Sequence, residues 1–319
     1  MAVLVGIDEA GYGPILGPLV VSSCVFSMPK GLVSRDLWQI LRKSISDKRK
    51  NLAGRLLITD SKKAYSKSMG IKQLQRTVLA CVKSLGAEPD KLTELLTLLC
   101  PESLDRLKRY PWYSKASEHY LSANGSDITI AAEVFTDDMA ANGIKLLGLK
   151  SCCLDVEYYN NIVSKTKNKS TVLFSATSQL IYAVSKKFKD EELHIIIDKQ
   201  GGRDHYTNHL LRIFPGAQLK ILKESGTSSS YELQDGRSII RLYFAVKADT
   251  RFLPVSLASM ISKYIRELMV ANINNYFASH CSQLKPTAGY WKDGLRFIQD
   301  IKENLPHLQI DNNQLIRSR

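Results

Sequence analysis

Four acids, Asp8, Glu9, Asp198 and Asp249, each stand at or just beyond the end of an apolar, strand-like run, and they carry the chemistry open to this chain. Carboxylate oxygens are hard ligands, suited to Mg²⁺ or Mn²⁺ rather than zinc, and gathered in one place without a cation they repel one another strongly. Two divalent ions held by such acids orient a water for in-line attack on a phosphodiester and stabilise the departing 3′ oxygen, with no protein nucleophile. No serine, cysteine or histidine triad is recognisable, which agrees with that chemistry. Any one of these acids alone reads as a surface residue; only their convergence makes a site.

The first pair lies in GIDEAGYGPILGPLVVSSCVF, Gly6 to Phe26. Val3, Leu4, Val5 and Ile7 predict a buried strand that delivers Asp8 and Glu9 to its end. Gly11, Gly13, Pro14, Gly17 and Pro18 then leave bare backbone beside the acids, where a large ligand can approach and peptide N–H groups can meet phosphate. The plainer alternative is a β-hairpin with an acidic turn.

Further along, Leu37 to Lys43 reads as a short helix, and Lys48, Arg49, Lys50 and Arg55 form a basic loop. Leu56 to Thr59 is strand-like, Asp60-Ser61 starts a helix, and Lys62 and Lys63 stand at that junction. Lys67 to Leu85, with Met69, Leu74, Val78, Leu79 and Val82, has helical spacing. Ile128 to Leu147 also reads as helix, Ser151 to Tyr159 as strand, and Ser164 to Ser170 as a polar linker. Trp112, Tyr113 and Tyr120 read as a small satellite core in preference to a base-stacking surface. An apolar helix, Thr171 to Phe188, precedes EELHIIIDKQGG, whose three isoleucines suit a central strand covered on both faces. His205 and His209 have i, i+4 spacing but no accompanying glutamate, so metal binding is not expected there. Asp235-Gly236 predicts a hairpin turn between Ser230–Gln234 and 237–246. Long helices follow from Pro254 to Phe277, carrying Ser259, Ser262, Lys263 and Arg266, and from Trp291 to Glu303.

With 44 Lys+Arg against 31 Asp+Glu, the formal charge of +13 and pI of about 9.4 favour a nucleic-acid partner over the plainer alternative of a solvated basic surface. A chain of 319 residues, 44% hydrophobic, can bury a core in one large domain or two smaller ones. Six cysteines without CxxC or zinc spacing argue against a disulfide or zinc framework. No secretory signal pattern is seen, and the longest apolar run, Ile15 to Phe26, is broken by glycine and proline. The expectation is a soluble, cytoplasmic protein.

These motifs together resemble type 2 ribonuclease H. GIDEAGYGP is similar to the opening signature of that family, in which an arginine usually occupies the place of Tyr12. DSKK at Asp60 to Lys63 is similar to a second motif, IIID ending at Asp198 to a third, and KADTRFLPVSLASMISKYIRE, with Asp249 ten residues before Ser259, to a fourth. GYWKDG at Gly289 to Gly294 is similar to the glycine-tyrosine segment of the C-terminal region. The resemblance covers roughly residues 1 to 85 and 170 to 305.

The resemblance implies an α/β fold: a ribonuclease H-like mixed sheet flanked by helices, with a C-terminal helical extension and an inserted central segment. The expected catalytic domain is 1–86 with 170–319, and 87–169 the insertion. It implies a monomeric endonuclease that cuts RNA in RNA-DNA hybrids, or ribonucleotides within a DNA duplex, leaving 3′-hydroxyl and 5′-phosphate ends and acting at no membrane. Asp8, Glu9, Asp198 and Asp249 would bind Mg²⁺ or Mn²⁺. Gly11, Tyr12 and Gly13 would contact the ribose 2′-OH, Lys62 a phosphate, and Tyr290 a deoxyribose; Lys63, Ser259 and Lys263 fall among the substrate-binding positions. Tyr12 lacks the cation of the family arginine, so the contact it makes is missing or relocated. Two alternatives stay open: a nuclease of this fold directed at structured or duplex DNA, and a non-catalytic nucleic-acid-binding module, which gains nothing from clustered negative charge.

Overall fold

Apolar side chains at nearly every position from Ala2 to Ile7 require cover on both faces, and strand β1 (Ala2–Ala10) has it at the centre of the main sheet. The structure is a computed structural model that describes residues 1–319 other than 66–69, 122–124, 202, 237, 303–304 and 319, with the side chains of 115–117 also left aside. After β1 come β2 (Leu19–Met28), the short β3 (Ile45–Ser46) and β4 (Leu56–Leu57), then β5 (Lys145–Leu154), β6 (Glu192–Asp198), β7 (Gln218–Glu224), β8 (Ser228–Asp235) and β9 (Ser238–Ala245). The seven-stranded sheet has the order β5-β2-β1-β6-β9-β8-β7, and β3 pairs with β4 apart from it. β5, β2 and β1 are antiparallel, β6 and β9 run parallel to β1, and β8 and β7 return antiparallel. This is the mixed, helix-flanked ribonuclease H-like sheet that the sequence predicts.

The two faces carry separate cores. Val3, Val5 and Ile7 join Ile195, Ile197, Phe244 and the helix Lys169–Lys187 on one side. Leu4 faces the other side, where the helix Leu253–Ala278 crosses β1 and β2 with most of its side chains buried. Gly6 is what lets that helix approach, since a Cβ there would stand 2.0 Å from the Pro254 carbonyl carbon. The Cys24 thiol on β2 donates to the same Pro254 carbonyl at 2.8 Å.

Several expectations change in detail. The helix read over Ile128–Leu147 ends at Ala141, because Gly143 turns the chain with φ +66° into β5. Asp155 then caps a helix, Val156–Thr166, by accepting from the Tyr158 N–H, so the strand read into Tyr159 stops at Leu154. The supposed linker Ser164–Ser170 is two helix ends joined at Lys167, which is left-handed, and Asn168, the next cap. Leu37–Ile40 and Lys72–Ser84 are helical, whereas Lys67 and Met69 lie outside the described residues. β7 was not anticipated. The β8–β9 turn falls one residue later than expected, between Asp235 and Ser238, with Arg237 outside the described residues. The last long helix is described over Trp291–Ile301, and Glu303 lies outside the described residues.

Within residues 87–169, β5 lies at an edge of the sheet and pairs with β2 from Leu19 to Ser27. The helix Gly125–Ala141 packs on Lys72–Ser84. Trp112 and Tyr113 are buried, Trp112 against Tyr276 and Phe277, while Tyr120 is 63% exposed and stands apart from that cluster. All six cysteines are free. No helix among the described residues is long and apolar enough to cross a membrane.

Candidate active site

The parallel pairing of β1 with β6 settles where the acids go. Ile7 is paired with Ile197, so Asp8 and Asp198 are the next residues in register, side by side on adjacent strands and facing the helix Leu253–Ala278. Glu9 follows at the strand end, and Asp249 lies in the 3₁₀ turn Ala248–Thr250 that joins β9 to that helix. Open α/β sheets present ligand sites at the carboxyl ends of their parallel strands for this reason.

Burial raises all four carboxyls, and neighbouring acids add to it. Burial, then the charges of Glu9 and Asp198, pushes Asp8 well above the usual carboxylate range, and a hydrogen bond from Ser259 opposes the shift. Burial also raises Glu9, with Asp249 adding to it and Asp8 and Lys62 opposing. Asp198 is pushed up to about 7, by burial first and then by Glu9 and Asp249, even though its Oδ1 accepts from the Ala248 N–H at 2.7 Å. Asp249 is raised by burial and by Asp60, against Lys62 and Lys63. Asp8 is 6% exposed and accepts from the Glu9 N–H at 2.7 Å. The four acids therefore form one repulsive electrostatic unit. No group of three or more His, Cys, Asp or Glu among the described residues is arranged to hold a metal ion, so the unit lacks a ready-made coordination shell.

The long helix fixes this unit from one side. The Ser262 hydroxyl lies 3.0 Å from the Asp8 carbonyl and 2.8 Å from Ser22 Oγ, which in turn meets Ser151 of β5 at 2.8 Å. A chain of serines thus ties the backbone of Asp8 to the sheet edge. Ser259 Oγ reaches Ser61 Oγ at 3.0 Å, docking the short helix Ser61–Ala64, whose cap Asp60 accepts from the Lys62 N–H. That docking sets Lys62 and Lys63 beside the acids. Beyond them Lys48, Arg49, Lys50 and Arg251 line a hollow that also contains Lys63 and Asp249.

Gly11, with φ +92°, begins the loop on the other side, where Arg266, 1% exposed, lies beneath it. Arg266 donates to the Ala288 carbonyl at 2.8 Å and pairs with Glu267. The Gly289 carbonyl accepts from the Ile15 N–H at 2.8 Å, which joins the GYWKDG segment to the same loop. Tyr290 is 49% exposed, with Arg266 over its ring at 5.8 Å. Tyr12 is half-buried under the Lys169 ammonium, 5.2 Å from its ring, and Gly13 has open space around its Cα.

Of the sequence-predicted residues, Asp8, Glu9, Asp198, Asp249, Lys62, Lys63 and Ser259 are brought together, with Gly11, Tyr12, Gly13 and Tyr290 at the margin. Lys263 pairs with Glu267 at 2.7 Å and lies over the Tyr65 ring, just past the helix Ser61–Ala64. His205 pairs with Glu224 outside any helix, and His209 lies tilted against the Phe174 ring, so these histidines share no site. Sequence reasoning missed Asp60 as a neighbour of Asp249, and it missed Lys169, Arg203 and Arg317 around Tyr12. Asp60 was visible only as a helix cap, and nothing local in the chain marks the other three.

No protein-family model matches this sequence, and no curated protein matches it. Among solved structures it is similar to the PCNA:RNase HII complex from Archaeoglobus fulgidus, at 16% identity and TM-score 0.47, covering 99% of this chain and 94% of that one. It is similar also to ribonuclease H2 from Pyrococcus horikoshii OT3, at 13% identity and TM-score 0.43, covering 98% and 92%. Bst-RNase HIII in complex with Mn²⁺ matches at 14% identity and TM-score 0.43, covering 99% of this chain and 66% of that one. Likenesses this distant carry no assignment of activity; the fold rests on the strand order described above.

Proposed function

We propose that this protein is a divalent-metal-dependent endonuclease of the ribonuclease H type, cutting RNA in RNA-DNA hybrids or ribonucleotides embedded in DNA and leaving 3′-hydroxyl and 5′-phosphate ends. The observation that carries the reading is the gathering of Asp8, Glu9, Asp198 and Asp249 at the carboxyl ends of β1 and β6 and in the turn after β9, where burial first and neighbouring acids second raise their carboxyls. The donor set fits Mg²⁺ or Mn²⁺: it is all hard oxygen, and its surplus negative charge is what a cation relieves. When bound, such ions supply a polarised water and neutralise charge on the departing oxygen.

The chain's own residues do the rest. Asp8 and Asp198 would hold the cations from the strand ends, with Glu9 and Asp249 completing the set. Lys62 and Lys63 and the basic hollow beyond them would position the substrate backbone by phosphate contacts. Gly13 leaves room for a sugar to approach peptide groups. Tyr290 offers an exposed ring against a deoxyribose. The free cysteines accord with a reducing compartment, and we place the protein in the cytoplasm, acting as a monomer.

A second reading, a nuclease of the same fold directed at duplex or branched DNA, is favoured by Tyr12, which lacks a cation at the loop nearest the sugar. The purified chain, incubated with Mg²⁺ or Mn²⁺, should cut an RNA-DNA hybrid and a duplex carrying one ribonucleotide, and should leave all-DNA duplexes intact. Both ribonucleotide substrates surviving with either metal would end the first reading; cleavage of DNA alone would establish the second.

A further inference from the structure

Arg317 is buried, 4% exposed, and among the described residues its guanidinium has a single hydrogen-bond acceptor, the Pro14 carbonyl, which takes Nη2. Nε and Nη1 are buried with no hydrogen-bond partner among the described residues. A desolvated cation with two orphaned donors is costly unless something anionic joins it. Burial, then the charge of Arg266, lowers its pKa to about 9.

The side chain also borders open space. A cavity of about 230 Å³ is lined by Arg317 together with Tyr12, Gly13, Tyr159 and Lys169. The Arg317 guanidinium lies over the Tyr159 ring at 5.0 Å, and the Lys169 ammonium over Tyr12 at 5.2 Å. Arg203 also faces Tyr12 electrostatically, with its Nη1 buried and unpartnered. Three cations from three parts of the chain thus converge on the loop that follows Glu9. Their positions are built rather than incidental: the Arg317 N–H donates to the Ile15 carbonyl at 2.9 Å, the Ser318 N–H to Asn160 at 2.6 Å, and Asn160 Nδ2 to the Ile316 carbonyl at 2.8 Å.

We infer that this pocket seats a backbone phosphate of the nucleic-acid substrate, with Arg317 as its innermost contact and Lys169 at its mouth. The inference rests on the nuclease reading for the identity of the polymer. A planar guanidinium with two free N–H groups suits phosphate oxygens, the pocket has room for the phosphate and its waters, and the Tyr12 hydroxyl is a further donor at its edge. Tyr12 at the pocket and Lys62 both interact with Glu9, so the pocket and the two lysines are each close to the acids. The cation absent at position 12 is then supplied from the far end of the chain.

The test uses the full chain with Asp8→Asn in the background, so that the substrate survives, and measures fluorescence anisotropy of a labelled RNA-DNA hybrid over a salt series. Arg317→Gln and Lys169→Ala should each weaken binding about tenfold and reduce the salt slope by about one counter-ion. Lys169 is exposed, so its variant reports on the contact even if Arg317→Gln unfolds, and Arg317→Lys should restore part of the slope. Hybrids with one neutral methylphosphonate, scanned along each strand, should show a position that weakens the parent protein but weakens Arg317→Gln no further. Unchanged affinity and slope in both variants, or equal sensitivity of parent and variant at every methylphosphonate, would overturn the inference. Thermal stabilisation by inorganic phosphate that depends on Arg317 while hybrid binding does not would also overturn it, making the ligand a small anion. Coupling without cleavage in the unmutated chain sinks only the nuclease reading; cleavage without coupling sinks only this one.

Discussion

Asp198 shows how burial and like charge act on a single side chain. Its carboxyl, pushed up to about 7 by burial, Glu9 and Asp249, is protonated more readily in the folded chain than in the unfolded one. A folded-state pKa raised above the unfolded value gives stability that is complete at low pH and is lost as pH rises from about 4 through about 7. Asp198→Asn should therefore stabilise the metal-free protein at pH 8 by about 1–2 kcal/mol, a few degrees in Tm, and flatten stability over that interval. Thermal melts in a chelator across pH check this; a variant less stable than the parent at pH 8 would contradict the repulsion. The same substitution, or Asp8→Asn, should lower cleavage by about 10²–10³-fold or more while leaving salt-sensitive binding nearly intact. Comparing single-turnover rates with anisotropy separates the two effects.

At the scale of elements, the site depends on how closely one helix lies on one strand. Gly6 is the contact point, with the Pro254 carbonyl oxygen 2.2 Å and the Val255 nitrogen 2.4 Å from where a Cβ would sit. Gly6→Ala should force Leu253–Ala278 outward, costing about 3 kcal/mol, which a shifted urea midpoint would reveal. Because that helix carries Ser259 and Ser262, activity should fall more than stability alone explains; a variant with parental kcat would show that the helix does not set the acids. The strand-like run before Asp8, the isoleucines before Asp198 and the long helix after Asp249 were legible from pattern, since each has an unbroken apolar signature. Asp155 and Asn168 were less legible, because capping residues are also common in loops. β7 was hidden because most of its residues are exposed and its apolar alternation, Leu219 and Ile221, is too short to stand out.

Over the whole molecule, the excess of 44 basic over 31 acidic residues includes Lys48, Arg49, Lys50, Lys63 and Arg251 in the hollow with Asp249, and Lys169 and Arg317 in the pocket beside Tyr12. Binding of a hybrid in chelator should persist and fall steeply with salt, because it depends on phosphate contacts rather than on the metal. Cleavage should vanish in chelator and return with Mg²⁺ or Mn²⁺. Divalent ion should also raise Tm in the parent chain and leave Asp8→Asn/Asp198→Asn nearly unmoved, since a ligand stabilises only the state that holds it. Equal stabilisation of both proteins, followed by calorimetry, would place the ion elsewhere.

The sequence by itself determined the order of the acids, the strands that carry three of them and the glycine loop between, because these follow from local hydrophobic pattern and turn chemistry. It could not determine that Asp8 and Asp198 are register neighbours, that β5 belongs to the sheet, or that Arg317 reaches the loop after Glu9. Register and long-range docking arise from which apolar faces exclude water together, and that choice is made among residues far apart along the chain.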